Sequence, residues 1–319
     1  REDSVFLGSY DQWTAFKEWS PGDHSSNETS GTIICTHGLG DTAGAFDVIG
    51  PLLAKKNYRV LAIDLPGHGL SSHSGRYGLY QIAEAILRFV VALELKDEKL
   101  ILISHSFSAE AAPFLTGTLP NLFTKIVQLD NPGPVDYQAL TEDPFTGQPP
   151  ATYQQKLERF YNLALATNRR KKPLYESIEA AARKRLTDVP KIFRLDVTAA
   201  INISKRAYRQ GENGYFVPTQ DPAVMRDNWP NGAAPNASRA DVEALVASIT
   251  AKCLLIKFDS WQEDFWTKAH QPLLEHYREC KIATVSGPHH AFAMKESGET
   301  CANVILRFLS SDAPGQTSS

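Results

Sequence analysis

Ser106 stands between an apolar run, Leu100-Ile101-Leu102-Ile103, and a helix-forming stretch, Ala109-Glu110-Ala111-Ala112. This context reads as a sharp strand-to-helix turn that presents one hydroxyl at the edge of a sheet. A serine hydroxyl stays protonated near neutral pH, and it attacks a carbonyl only beside a base that a third group orients. Candidate bases lie far along the chain, in Ser286-Gly287-Pro288-His289-His290, with His289 preferred. The orienting acid has three candidates. Asp130 directly follows the apolar run Ile126-Val127-Gln128-Leu129, whereas Asp259 and Asp264 follow Leu254-Leu255-Ile256. Asp130 is favoured, and Asp259 and Asp264 stay open. Charge developing on the carbonyl oxygen calls for two backbone amides. Phe107, next to the nucleophile, supplies one, and Leu39 in the loop His37-Gly38-Leu39-Gly40-Asp41 supplies the other. His37, Asp64 and His68 read as residues that shape tight turns, not as members of the reacting set.

These residues need elements that bring distant positions together. The chain opens with an alternating segment, Ser4 to Trp19, that suits a β-hairpin. Short apolar strands are expected over Thr32–Thr36, Tyr58–Leu65, Leu100–Ile103, Ile126–Leu129, Cys253–Phe258 and Ile282–Val285. Helices are expected over Phe46–Lys56, Leu79–Leu95, Ala109–Leu115, Phe265–Tyr277 and Cys301–Leu309. Continuous apolar strands alternating with helices imply a mostly parallel central sheet covered on both faces. Between Pro134 and Ile249 that rhythm breaks, and helices are expected over Gln155–Leu165, Ser177–Leu186, Val197–Arg209 and Val242–Ile249. We read residues 134–249 as a helical cap inserted into a core made of 1–133 and 250–310, with a polar, disordered tail at 311–319. An insertion at the C-terminal ends of parallel strands sits where such sheets bind ligands.

Bulk properties exclude several classes. With 33 basic and 36 acidic residues the net charge is −3, which gives no electrostatic case for nucleic acid or an anionic membrane. Apolar residues make up 42% and charged residues 22% of the chain, as in ordinary globular domains. No apolar run reaches the length of a membrane span. Cys35 and Cys253 fall inside strands and read as buried free thiols; a Cys280–Cys301 disulfide is left open. No Cys/His spacing suggests a metal, and no organic cofactor is called for. Arg169-Arg170-Lys171-Lys172 reads as a solvated surface, and Trp229, Trp261 and Trp266 as packing residues or as the lining of a substrate pocket. Sequons at Asn27, Asn202 and Asn236 are read as unused. The chain begins with Arg1, as if a leading segment had been removed or left out.

His37-Gly38, then Asp64-Leu65-Pro66-Gly67-His68-Gly69, then Ser106, then Gly287-Pro288-His289 resemble the signatures of α/β-hydrolases, in their order. More narrowly the chain resembles the serine hydrolase-like proteins. His37 to Asp47, Leu129-Asp130-Asn131-Pro132-Gly133-Pro134, Gly287 to His290, and Asn213-Gly214-Tyr215-Phe216-Val217 through Asp221-Pro222 carry that likeness. The resemblance spans about Phe6 to Leu309 and implies an α/β-hydrolase fold, while saying little about substrate. The serine, histidine and acid themselves lead to the expectation of ester, thioester or lactone hydrolysis of a small acyl substrate without a cofactor. The Gly-x-His spacing of such enzymes favours His289 over His290. Two departures stand out. The elbow of such enzymes is usually Gly-x-Ser-x-Gly, and Ser104 and Ser108 occupy the glycine positions here, so slight strain is expected. The commonest acid position falls at Trp261, with Asp259 early and Asp264 late. Some relatives are expected in peroxisomes, but Thr317-Ser318-Ser319 is no Ser-Lys-Leu address, and a cytoplasmic location is expected.

Overall fold

A computed structural model of the chain describes residues 1–7, 12–22, 29–135, 172–187, 191–228, 237–259 and 265–311, with isolated positions between 140 and 165. Its strands are β1 (Glu2–Phe6), β2 (Trp13–Trp19), β3 (Thr32–Thr36), β4 (Arg59–Ile63), β5 (Leu100–His105), β6 (Lys125–Leu129), β7 (Tyr208–Gln210), β8 (Phe216–Pro218), β9 (Lys252–Phe258) and β10 (Cys280–Val285). Its helices are α1 (Ile49–Ala54), α2 (Leu79–Ala92), α3 (Phe107–Thr116), α4 (Ile178–Thr187), α5 (Val197–Ala207), α6 (Pro222–Asn228), α7 (Arg239–Ser248), α8 (Gln271–Leu274) and α9 (Lys295–Ser310). Eight strands form one sheet in the order β1-β2-β4-β3-β5-β6-β9-β10. β1 and β2 are antiparallel to their neighbours, and every pair from β4 to β10 is parallel.

The strand sequences explain the order. β3, β5 and β6 are buried along their whole length, as apolar runs covered on both faces must be. The outermost strands, β1 and β10, carry mostly exposed and half-buried residues. Alternate residues of the central strands feed opposite cores. Ile33, Cys35, Ile101 and Ile103 pack with Phe46, Ile49, Ile305 and Phe308 on one face. Ile34, Leu100 and Leu102 pack with Ile82, Phe89 and Phe114 on the other.

The insertion between β6 and β9 is stitched to this core. Ala199 and Ile203 of α5 join the first cluster, and Val242 and Val246 of α7 join the second. Gly44 permits the closest contact: a Cβ there would lie 2.2 Å from the Asn202 carbonyl oxygen. A buried ion pair completes the seam. Arg206 of α5 donates from Nε and Nη2 to Asp64 Oδ2 over 3.0 and 2.8 Å. The Asp64 carboxylate also accepts the Ala43 and Leu70 amides.

The insertion is not wholly helical. The helix expected to run to Arg209 stops at Ala207, and β7 pairs antiparallel with β8 in a small ribbon. Asn213-Gly214 between them, with Gly214 at φ +81°, is the hairpin signal that explains it. The helix expected over Phe265–Tyr277 contains a widened π turn at Trp266–His270 before α8. Pro272 accounts for the shift, because it has no N–H to continue the regular ladder at that point. All four cysteines are free thiols, with Cys35, Cys253 and Cys301 buried. Among the described residues no helix is long and apolar enough to cross a membrane. Most of Gln155–Leu165, Arg169–Lys171, Trp229, Trp261, Asp264 and the tail from 312 on lie outside the described residues.

Replacing Arg206 with Met would leave the Asp64 carboxylate buried without its cation. We expect Arg206→Met to lose about 3–5 kcal/mol of stability in urea unfolding, and a loss within a few tenths would contradict this account of the seam.

Candidate active site

The C-terminal ends of the parallel strands converge on one region. Ser106 follows β5 with φ +51° and ψ −118°, a conformation that costs a non-glycine residue of order 1–3 kcal/mol. Its amide donates to the Leu129 carbonyl at 3.3 Å, and its carbonyl accepts the Glu110 amide as α3 begins. The serines that replace the usual glycines are integrated by hydrogen bonds. Ser108 Oγ lies 2.8 Å from the Thr36 carbonyl and accepts the His105 amide, and Thr36 Oγ1 donates towards Ser104 Oγ at 3.0 Å. The hydroxyls therefore tie β3 to the turn in return for their extra volume.

Asp130 follows β6, again with positive φ (+61°), and is fully buried. Its amide donates to the Ile256 carbonyl, and Oδ1 accepts the Phe258 amide at 2.8 Å. Oδ2 lies 2.6 Å from His289 Nδ1. Asp259 is elsewhere: it is exposed and its Oδ2 accepts the Ser286 hydroxyl.

His289 reaches the site through Gly287, whose φ of +140° suits glycine. The His289 amide donates to the Ile192 carbonyl at 2.9 Å, and Phe193 sets its ring edge-on to the imidazole. Burial, then the neighbouring His290, hold the His289 pKa well below the ordinary histidine value, while Asp41 opposes the shift. The next residue diverges: His290 Nε2 bonds Asp41 Oδ2 at 2.9 Å. The two adjacent histidines thus serve different carboxylates.

The His37–Asp41 loop approaches Ser106 closely. A Cβ on Gly38 would lie 2.9 Å from His105 Nδ1 and 3.1 Å from Ser106 Cβ, so only glycine fits there. The Gly38–Leu39 peptide is fixed from its carbonyl side. Gly38 O accepts His37 Nδ1–H at 2.8 Å and the Asp41 amide at 3.2 Å. In a trans peptide this fixes the direction of the Leu39 N–H. Among the described residues neither the Leu39 nor the Phe107 amide has a hydrogen-bond partner. Burial lowers His37 to about 4 and His68 to about 3, so both rings are neutral. Each uses its lone pair as an acceptor, His37 Nε2 from the Leu65 amide and His68 Nε2 from the Gly40 amide.

Asp41, His105 and His290 form the one group among the described residues whose ligand atoms could surround a metal, all within 4.8 Å of one another. Arg185 argues against that use. Its Nη1 lies 3.5 Å from Asp41 Oδ1 and already supplies positive charge. Burial opposes ionisation of Asp41, but His290 and then Arg185 outweigh it and hold the carboxyl well below its usual range.

A family model described as alpha/beta hydrolase fold matches residues 31–187. The chain has the α/β-hydrolase fold that this model describes. A serine hydrolase-like protein of Danio rerio is 29% identical over 294 residues, spanning 90% of this chain and 84% of that one. A serine hydrolase-like protein of Dictyostelium discoideum is 26% identical, over 92% of this chain and 78% of its own. Among solved structures, a hypothetical protein from Pseudomonas aeruginosa PAO1 superposes with a TM-score of 0.74 at 22% identity, covering 97% of this chain and 99% of that chain. A thioesterase domain from the curacin biosynthetic pathway gives 0.72 at 20% identity, covering 96% and 99%. At such identities the structural likeness speaks to the fold alone.

Asp41, His105, His290 and Arg185 were not singled out from sequence as one cluster. His37 to Asp41 carried a signal, since an aspartate ending a glycine-rich turn needs a buried partner. Glu110, one turn past Ser106, is a second omission. It accepts Asn131 Nδ2–H at 3.3 Å, and burial raises its pKa to about 7 against the hydrogen bonds from the Val135 amide and Asn131. A carboxyl whose folded pKa is raised contributes stability below its unfolded pKa and loses it as pH rises through the folded value. Over pH 5 to 8 this loss opposes the gain from the buried histidines whose pKa values are lowered, so the sign is read against a variant. In urea titrations Glu110→Gln should become more stable relative to wild type at pH 8 than at pH 5, and an unchanged difference would refute the assignment.

Proposed function

We propose that this protein is a serine hydrolase that cleaves an ester, thioester or lactone of a small molecule through an acyl-enzyme. The observation that carries the reading is the 2.6 Å hydrogen bond between Asp130 Oδ2 and His289 Nδ1, at the strand ends where Ser106 sits on its strained turn. In this reading Ser106 Oγ attacks the carbonyl carbon. His289 takes its proton at Nε2, the ring nitrogen opposite the one engaged with Asp130. Asp130 keeps the imidazole in that tautomer and stabilises the imidazolium as it forms. The carbonyl π electrons move onto oxygen, and the Leu39 and Phe107 amides stabilise that oxyanion. Collapse expels the alcohol or thiol, which receives the proton from His289. Water, activated by the same histidine, then releases the acid and restores Ser106.

No step in this sequence needs a metal or organic cofactor. Serine as nucleophile separates the chemistry from that of relatives on this fold that attack with aspartate. The names of the curated relatives, serine hydrolase-like proteins, agree with the reading.

A fluorophosphonate probe should label the protein at a single residue, and Ser106→Ala should abolish that labelling. Asp130→Asn should lower kcat on p-nitrophenyl acetate by about 10⁴, the order seen when a triad acid loses its charge, while Asp259→Asn stays within a few-fold. Absence of labelling, or an inactive Asp259→Asn beside an active Asp130→Asn, would overturn the reading. Tight binding of acyl ligands without labelling would identify a receptor instead.

A further inference from the structure

Each peptide around Leu39 has its own anchor. Gly38–Leu39 is held through its carbonyl by His37 Nδ1–H and the Asp41 amide. Leu39–Gly40 is held through its N–H by His68 Nε2 at 3.1 Å. Gly40–Asp41 is held through its carbonyl by Arg185 Nη2–H. His37 and His68 belong to the sheet's own turns. Arg185 does not: it lies in the last turn of α4, within the insertion. The same guanidinium reaches Asp41 Oδ1, whose other oxygen bonds His290, the residue after the proposed base. His290 and His289 are joined covalently, and His105 Nε2–H donates to the His289 carbonyl at 3.0 Å.

We infer that Arg185 is a positioning residue through which the inserted cap assembles the oxyanion loop. The inference rests on the serine-hydrolase reading above. The physical case has three parts. Gly40 sits at φ +78° with no neighbour within 4 Å of a Cβ position, so at this residue the turn is held by its hydrogen bonds and not by side-chain packing. The guanidinium is a planar fork that meets a carbonyl and a carboxylate together, which a lysine ammonium does not reproduce. Its side chain is mostly buried at the seam between α4 and the loop, where such hydrogen bonds gain from low solvent screening. If α4 is displaced, the Gly40 carbonyl loses its donor and Asp41 loses a cation. Asp41 can then shift, and its amide is one of the two donors that fix the Gly38–Leu39 peptide, so the Leu39 N–H is held less firmly towards the oxyanion. Substrate held under a correctly seated insertion therefore meets a formed site, and an unseated one leaves the serine weakly reactive.

Arg185 makes no contact with the reacting atoms in this scheme, so its loss should lower kcat more than it raises KM. The experiment compares wild type, Arg185→Lys and Arg185→Ala in fluorophosphonate labelling rate, in kcat and KM on p-nitrophenyl acetate, and in thermal midpoint. We expect labelling rate and kcat to fall together by about tenfold or more, as misplacement of catalytic groups does, with KM within a few-fold. Arg185→Lys should recover only part of the loss, and millimolar guanidinium added to Arg185→Ala should restore activity. No labelling of the wild type overturns the serine-hydrolase reading and this inference with it. A labelled wild type with unchanged rates in both variants overturns the inference alone. So does a loss that tracks KM and the thermal midpoint and that guanidinium does not rescue, since that pattern belongs to a residue that only holds the insertion in place.

Discussion

One carboxylate spans the ends of neighbouring parallel strands, and the arrangement of the site depends on it. Asp130 terminates β6, takes the Phe258 amide of β9 on one oxygen and the His289 imidazole beyond β10 on the other. Its own amide is committed to Ile256 of β9. A fully buried carboxylate must have such partners, because leaving it without them costs several kcal/mol. The requirement works in both directions. The strands need the parallel register that brings β6, β9 and β10 side by side, and the loop after β10 needs a conformation that returns His289 to that point. Gly287 provides the conformation, since a Cβ there would lie 2.8 Å from Ala291 Cβ.

The turns at the ends of the parallel strands are dense in imidazoles, yet burial keeps His37, His68 and His105 from competing as positive charges. Neutral imidazole has one donor and one acceptor, and the hydrogen bonds assign them. His105 Nε2 faces the His289 carbonyl and must carry its proton; His68 Nε2 faces the Gly40 amide and must not. Each ring is therefore a directional connector between two backbone segments. That role accounts for histidines at turns that otherwise look reactive, including His37 and His68, which the sequence already suggested were structural.

What was legible in the sequence follows from how strongly each feature is imposed by local chemistry. The central strands are apolar throughout, and such runs have few alternatives to a covered parallel sheet. Ser106, Asp130 and His289 stand directly after such runs or in the turn that follows one, so periodicity narrowed the candidates, while the choice of His289 over His290 came from the resemblance and Asp259 and Asp264 stayed open beside Asp130. The β7–β8 ribbon is absent from the sequence expectation because its strands are three residues each, β7 mostly exposed and β8 half-buried. Their pattern carries little hydrophobic signal, and the Asn213-Gly214 dipeptide alone marked the turn. Arg185 was unreadable for a different reason. Its partners, Gly40 and Asp41, are about 145 residues away, and nothing in a short polar helix says which carbonyl a particular arginine will meet.

Two non-glycine residues with positive φ, Ser106 and Asp130, occupy adjacent strand ends. Strain of this kind persists only where the surroundings over-determine it. Ser106 is restrained by the Leu129 carbonyl on one side and by the first turn of α3 on the other, and Leu129 is the residue before Asp130. The two unusual conformations are thus joined by one hydrogen bond and one peptide. Relaxing either would displace the other, together with its contact to β9 and His289. Buried clusters on both sheet faces oppose that relaxation, with α3 packed against one and α9 against the other. The sheet's packing energy is in this sense directed at two backbone conformations, and the hydroxyl of Ser106 and the carboxylate of Asp130 are aimed by the same restraint.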